Sequence, residues 1–174
     1  LNTSAIYLGQ AAGAASGGTG NKLYALKSDG SVLSGWPYVT GTSSVEAGIY
    51  GAPAIADLNH DGSLEVIFAD ANGNLNAVQS NGQLLWSTVI HAPIKIYATP
   101  IIADSDGDNL PDVIIGSGDT VQILAGATGT LLNQDVLTAS SGTPLITTSA
   151  VVGHFRGDSS WQLAVTADTD VSDA

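Results

Sequence analysis

The chain has 174 residues, enough for one domain or part of a larger one, and its 44% hydrophobic and 11% charged residues make a folding composition. Sixteen acids against four bases, a formal charge of −12, exclude nucleic acid and anionic membrane surfaces as partners and suit metal cations. The absence of cysteine excludes disulfides and thiolate metal sites, and no apolar run approaches the roughly 20 residues of a membrane-spanning helix, so no membrane insertion is expected.

The 21 glycines, with few Lys, Glu or Arg, favour strands and turns over helices. The opening "LNTSAIYLGQ" has no basic region followed by an apolar stretch, so it does not read as a signal peptide, and a chain without Met reads as a processed or excised piece. Asn2-Thr3-Ser4 is a permitted glycan sequon for which chance is the better account. "QAAGAASGGTGNK" is a long loop whose "GGTGNK" lacks phosphate-loop spacing. "KLYALKSDGSVLSGW" then reads as strand, Asp29-Gly30 turn and strand.

From Ile49 the chain repeats. "IYGAPAIADLNHDGSLEVIFAD" (Ile49 to Asp70) aligns without a gap on "IYATPIIADSDGDNLPDVIIGS" (Ile96 to Ser117), 47 residues on, with Tyr50 over Tyr97 and Pro53 over Pro100. Each copy continues into a second half-motif, "NLNAVQSNGQLLW" or "TVQILAGATGTLL", and Asn72-Gly73 and Asn81-Gly82 mark hairpin turns. One unit therefore holds four short strands: "APAIAD", "LEVIFAD", "NLNAVQ" and "QLLWSTVI". Val66-Ile67-Phe68 and Val113-Ile114-Ile115 are apolar on both sides, as in a sheet held between two other sheets. A weaker copy, "ITTSAVVGHFRGDSSWQLAVTAD", runs from Ile146 to Asp168.

Four strands every 40–50 residues predict an all-β fold of β-propeller blades, four antiparallel strands each, with about three blades' worth present. The expected units are 1–48, a partial blade with the later strands only; 49–95 and 96–145, blades with an acidic loop; and 146–174, a partial blade with a degenerate loop. A β-sandwich with accidental similarity is the alternative, but chance matches are shorter and gapped. Propellers generally close with four to eight blades, so the remainder is expected from missing sequence, another chain or a second copy.

The two acidic loops carry the chemistry. "DLNHDGSLE" places Asp57, Asn59 and Asp61 at positions one, three and five, the Ser63 carbonyl at seven and Glu65 at nine. "DSDGDNLPD" offers Asp104, Asp106, Asp108, the Leu110 carbonyl and Asp112. Every donor is a hard oxygen, which favours Ca²⁺ over zinc or copper, at two sites; His60 and Ser105, at intervening positions, are expected to face away. Position twelve is Phe68 or Ile115 and both flanks read as strands, so these are not EF-hands. Bringing carboxylates to about 4 Å of one another costs on the order of 1–4 kcal/mol per pair, which a cation removes. In the third loop Gly153, Phe155, Gly157 and Trp161 take positions one, three, five and nine, so no Ca²⁺ and an aromatic plug are expected there.

"YGAP" at Tyr50–Pro53 followed by the "DxNxDGxxE" loop resembles the FG-GAP/VCBS repeat family of integrin α-subunit propellers and bacterial exported proteins. The resemblance covers Tyr50–Asp70 and Tyr97–Ser117 well, Ile146–Asp168 weakly, and residues 1–48 through the second half-motif only. It implies structural Ca²⁺ at the two loops between the first and second strands of a blade, and ligand binding on the opposite face. Asn59 departs from the commoner Asp, which implies a weaker first site. On the opposite face lie Trp36, Tyr38, Tyr50, His91 and Tyr97, suited to a sugar or protein partner, with blade packing as the alternative for Tyr50 and Tyr97.

The expected function is a non-catalytic Ca²⁺-binding propeller module for adhesion or recognition of protein or carbohydrate. Its expected place is extracellular or at the cell surface, with the periplasm as a variant, because extracellular modules bind Ca²⁺ at about 10⁻⁴–10⁻³ M. One alternative is the propeller part of a secreted polysaccharide-active enzyme such as a Ca²⁺-dependent lyase, with a base among Lys22, Lys27, Lys95, Arg156 and the histidines and with His91 and Lys95 as test positions. Another is a purely architectural assembly subunit. "NGQLLW" and "GATGTLL" also resemble quinone-dependent dehydrogenase repeats, against which stand three tryptophans read as unmatched in position. Arg156-Gly157-Asp158 spells an adhesion tripeptide, a match better explained as the remnant of a metal loop.

Overall fold

The computed structural model describes residues 5–9 (as backbone), 21–41, 48–90, 96–138, 142, 144–146, 148–157 and 162–168. Among them every regular element is a β-strand and every pairing is antiparallel. The first sheet holds β1 (Ala5–Gly9), β2 (Lys22–Lys27) and β3 (Tyr38–Val39) in chain order. The second is the four-stranded meander β4 (Ala54–Ala56), β5 (Glu65–Ala69), β6 (Asn74–Gln79) and β7 (Leu84–Val89). The third repeats it with β8 (Ile101–Ala103), β9 (Asp112–Ser117), β10 (Thr120–Ala125) and β11 (Leu131–Val136). The last is a ribbon in two pieces: β12 (Leu145–Ile146) pairs with β15 (Ala167–Asp168), and β13 (Val151–Gly153) with β14 (Gln162–Ala164). It starts one residue before the expected boundary at 146.

The glycines of the Asp29-Gly30, Asn72-Gly73 and Asn81-Gly82 pairs all adopt positive φ, at 82°, 81° and 84°. That is the conformation for which tight turns select glycine. A β-bulge follows Ala77 in β6 and Ile123 in β10, so the repeat extends to the same irregularity in the same place.

The strands apolar on both sides separate their faces with a period of two. Val66 and Phe68 of β5 pack towards the first sheet, with Leu23, Ala25 and Trp36, while Ile67 and Ala69 pack towards the third, with Val113, Ile115 and Leu124. In β9 Val113 and Ile115 face back, and Ile114 faces forward to Ile146 of the last sheet. The second and third sheets are thus blades whose two faces belong to two different hydrophobic clusters, and all of β5 and β9 is buried.

Two tryptophans lock successive blades. Trp36 Nε1 donates to the Ser80 carbonyl in the β6–β7 turn (3.0 Å), and Trp86 Nε1 donates to the Gly126 carbonyl in the β10–β11 turn (2.7 Å). Their positions are equivalent, so reading these two tryptophans as unmatched is corrected: a two-residue difference in hairpin length hides the match in the sequence. Gly35 and Gly82 let the first two blades meet backbone to backbone, since a Cβ on Gly82 would stand 2.1 Å from the Gly35 carbonyl oxygen.

Candidate metal centre

Each acidic loop joins the first two strands of a blade, at the end opposite Tyr50 and Tyr97. The two share a hydrogen-bond plan that differs in one donor to position one, which comes from position five in the first loop and position four in the second. Asp57 at position one accepts the N–H groups of Asp61 (3.1 Å) and Gly62 (2.9 Å), and Asp104 accepts those of Gly107 (2.7 Å) and Asn109 (3.0 Å). At position three, Asn59 Oδ1 accepts from Asp61 N (3.1 Å) and Asp106 Oδ1 from Asp108 N (3.1 Å). At position five, Asp61 and Asp108 accept the N–H of Ser63 and Leu110, both at 2.7 Å. Position nine accepts from position two: Glu65 from Leu58 N (3.0 Å) and Asp112 from Ser105 N (2.9 Å).

This plan requires left-handed backbone at positions four and six, and the loops supply it differently. His60 (φ 56°) and Gly62 (φ 85°) serve the first loop, Gly107 (φ 83°) and Asn109 (φ 68°) the second. Glycine takes one position in each, and a residue type that tolerates the left-handed region takes the other. His60 is exposed, as expected of an intervening residue. Ser105 does not face away as expected: its hydroxyl also bonds Asp112 Oδ2, because the backbone N–H of the same residue already holds that oxygen close. Leu58, at the same position in the first loop, anchors the loop in the core between blades two and three.

The carboxylate oxygens of Asp104, Asp106 and Asp108 lie within 4.8 Å of one another. Oxygens that share one Ca²⁺ at about 2.3–2.6 Å lie at most about 5 Å apart, so these three are close enough to share an ion. In the first loop the telling group is Glu65. It is 0% exposed, Oε2 is held by Leu58 N, and Oε1 is buried with no hydrogen-bond partner. Desolvation first, then the charges of Asp61 and Asp57, push its carboxyl above the usual carboxylate range, while the Ser63 and Asn59 hydrogen bonds hold Asp61 below it. A buried carboxylate oxygen without a donor, beside two further carboxylates, is costly unless a cation satisfies it. The donor chemistry of both loops suits a hard, oxygen-loving ion, but among the described residues only Asp104, Asp106 and Asp108 bring carboxylate oxygens together as a set; Asp57, Asp61 and Glu65 do not converge to that distance, and Asp112 stands outside the triad.

In the third loop, between β13 and β14, Phe155 is not the expected aromatic plug. Phe155 is 57% exposed, its ring lying back against Gly153, so it plugs nothing. Trp161 and Asp158 lie outside the described residues.

The opposite face is also redistributed. Trp36 is buried at 7% exposure as the first blade lock, which removes it from any ligand surface. Tyr38 is half-buried, edge-on to Phe68 with ring centroids 5.8 Å apart, and burial pushes its phenol up. Both pack because the segment from Trp36 to Tyr38, leading into β3, is covered by the second blade. Tyr50 and Tyr97 form a tilted pair, centroids 5.5 Å apart, over the close approach of Gly51 to the Ala98 carbonyl, and Tyr97 remains 51% exposed. His91 and Lys95 lie outside the described residues.

Residues 57–115, from the first acidic loop to β9, match the model of the FG-GAP-like repeat family. Among solved structures the chain is similar to BamB from Moraxella catarrhalis (TM-score 0.65, 18% identity, 95% of this chain and 44% of that one). It is also similar to the V. cholerae biofilm matrix protein Bap1 (TM-score 0.61, 17% identity, 94% and 28%) and to BBS1N in complex with ARL6DN (TM-score 0.51, 18% identity, 74% and 39%). The chain thus spans less than half the length of these structures. A search of curated proteins finds no match.

Proposed function

We propose that this FG-GAP-repeat β-propeller segment is a non-catalytic, Ca²⁺-stabilised module for recognition or adhesion outside the cytoplasm, binding two Ca²⁺ at the loops 57–65 and 104–112. The observation that carries the reading is the buried, unpartnered Glu65 Oε1 within the field of Asp61 and Asp57. When bound, the ion supplies charge neutralisation and a cross-link between the first two strands of a blade. The chain's own residues hold the loop open for it through the shared backbone hydrogen-bond plan. Binding at about 10⁻⁴–10⁻³ M matches extracellular Ca²⁺. The V. cholerae neighbour is a biofilm matrix protein, a setting that suits the reading, although at 17% identity the likeness is one of fold. For a protein or carbohydrate ligand, the exposed edge of the Tyr50–Tyr97 pair is the surface to probe.

The test is bound-metal analysis with thermal unfolding, in Ca²⁺ and after chelation, on the native chain and Asp104→Ala. Close to two Ca²⁺ per chain, one lost in the variant, and a lower melting temperature on chelation are expected. No bound metal and an unchanged melt would reduce both loops to acidic turns.

A further inference from the structure

The two acidic loops touch each other's blades. Leu58, position two of the first loop, is held at both ends. Its N–H donates to Glu65 Oε2 (3.0 Å), and its side chain is fully buried in one cluster with Val113 and Leu124 of the third blade. It packs where only glycine leaves room: a Cβ on Gly126 would stand 2.9 Å from Leu58 Cδ2 and 2.1 Å from the Pro111 carbonyl oxygen. Gly126 donates its N–H to that same Pro111 carbonyl (3.1 Å) and accepts from Trp86 Nε1 (2.7 Å). Pro111 lies between Leu110 and Asp112, positions seven and nine of the second loop. A continuous path thus runs from Glu65 through Leu58, Gly126 and Pro111 to Asp112. Both blades that it joins have all four strands.

The path stops at the second loop. Ser105, the counterpart of Leu58, turns its hydroxyl back to Asp112 Oδ2 instead of reaching forward to the next blade. The two loops also differ in how ready they are for an ion. In the second, Asp104, Asp106 and Asp108 already bring their oxygens within 4.8 Å, and Asp112 Oδ2 is satisfied by the N–H and hydroxyl of Ser105. In the first, the carboxylates do not gather as a set, and Glu65 Oε1 is buried without a donor.

We infer that Leu58 is a positioning residue that couples the two loops, so that the second loop fills first and its filling raises the Ca²⁺ affinity of the first. The inference rests on the Ca²⁺ sites proposed above. A second loop fixed at Leu110 and Asp112 fixes the Pro111 carbonyl between them, and with it Gly126 and the wall against which Leu58 packs. Leu58 seated there keeps its N–H on Glu65 and so keeps position nine of the first loop in place. The element with two states is the joint, closed with Leu58 seated or open with Leu58 withdrawn. Both loops bias it towards the closed state, and linkage makes the effect reciprocal. Charge alone gives the opposite sign, because an ion in one loop repels an ion in the other.

The experiment titrates the ¹⁵N-labelled full chain with Ca²⁺, following the first loop at the backbone amide of position 58 and the second at that of Ser105. In the native chain Ser105 is expected to respond at lower Ca²⁺ than Leu58. Asp104→Ala should weaken the first loop and Asp57→Ala the second, both by the same factor of about five or more. In Leu58→Val, which shortens the side chain at the joint, Asp104→Ala should cease to affect the first loop. Gly82→Ala, which strains the other joint, should lower the melt and leave the factor unchanged. If both loops fill but the first is indifferent to Asp104→Ala, or fills before the second, the coupling is overturned and the Ca²⁺ sites stand. If no Ca²⁺ binds, both fall. An effect of Asp104→Ala that persists in Leu58→Val belongs to charge, and one that Gly82→Ala also abolishes belongs to global stability; either overturns the role of Leu58.

Discussion

Replacing Glu65 by Gln tests whether its carboxylate is a ligand or a structural acceptor. Without metal, the native side chain places a charge with one unsatisfied oxygen at 0% exposure beside Asp57 and Asp61. Leaving a buried acceptor unmade costs about 1–3 kcal/mol, more when charged, and Gln keeps the Leu58 N–H bond while removing the charge. A gain of about 2 kcal/mol in a chain of this size raises the melting temperature by roughly 4–8 °C. With Ca²⁺ at about 100 times its Kd, a site stabilises the fold by about 2.7 kcal/mol, and Gln forfeits most of that at the first loop. The two melting curves must therefore cross: Glu65→Gln melts higher than the native chain in chelator and lower in about 10 mM Ca²⁺, if Kd is near 10⁻⁴ M. Circular dichroism melts in the two buffers, with calorimetric Ca²⁺ titration, provide the assay. A variant that melts lower in both buffers, with its Ca²⁺ response intact, would refute the reasoning and leave Glu65 as a hydrogen-bond acceptor only.

The same group sets a pH dependence. Its folded pKa is raised above the unfolded value of about 4.3, so in chelator its contribution to stability grows as pH falls from neutral through that raised value, an effect absent in Glu65→Gln. Asp61 acts oppositely and lower: its stabilisation is present above about pH 3.9 and is lost as pH falls through its depressed folded value. Melts in chelator should thus rise and then fall as pH drops from 7 to 3. Gly82→Ala should cost about 2–4 kcal/mol in urea unfolding, combining left-handed strain at φ 84° with a Cβ 2.1 Å from the Gly35 oxygen. Trp86→Phe, which leaves the Gly126 carbonyl without its indole donor, should cost about 2 kcal/mol in the same assay and leave Ca²⁺ stoichiometry unchanged.

The blades were legible because their signals are local. Val66-Ile67-Phe68 announces a strand buried on both faces, and β5 is one; Asn81-Gly82 announces a tight turn, and Gly82 takes the required φ. The spacing of the acidic loops was readable as a loop geometry, and at Asp104, Asp106 and Asp108 alternate positions do bring their oxygens together, whereas the carboxylates of the first loop do not gather as a set. What depends on a neighbouring blade was not legible. The equivalence of Trp36 and Trp86 lies in what each indole touches some 40 residues further along, behind unequal hairpins. Phe155 reads as a plug from its position in the loop, yet whether an aromatic is covered is decided by packing beyond that loop. Ser105 reads as an outward spacer because alternation ignores a hydroxyl that can reach back to the oxygen its own backbone already holds.

The two blade locks also make the molecule self-reporting. Trp36 and Trp86, at 7% and 8% exposure, each sit at a different joint with the indole N–H held by the next blade. If one joint opens, water reaches one of these two indoles while the other stays dry, and the emission of that residue moves to the red. Chains carrying one of them at a time would therefore resolve, by fluorescence alone, whether the joints part in sequence or in concert.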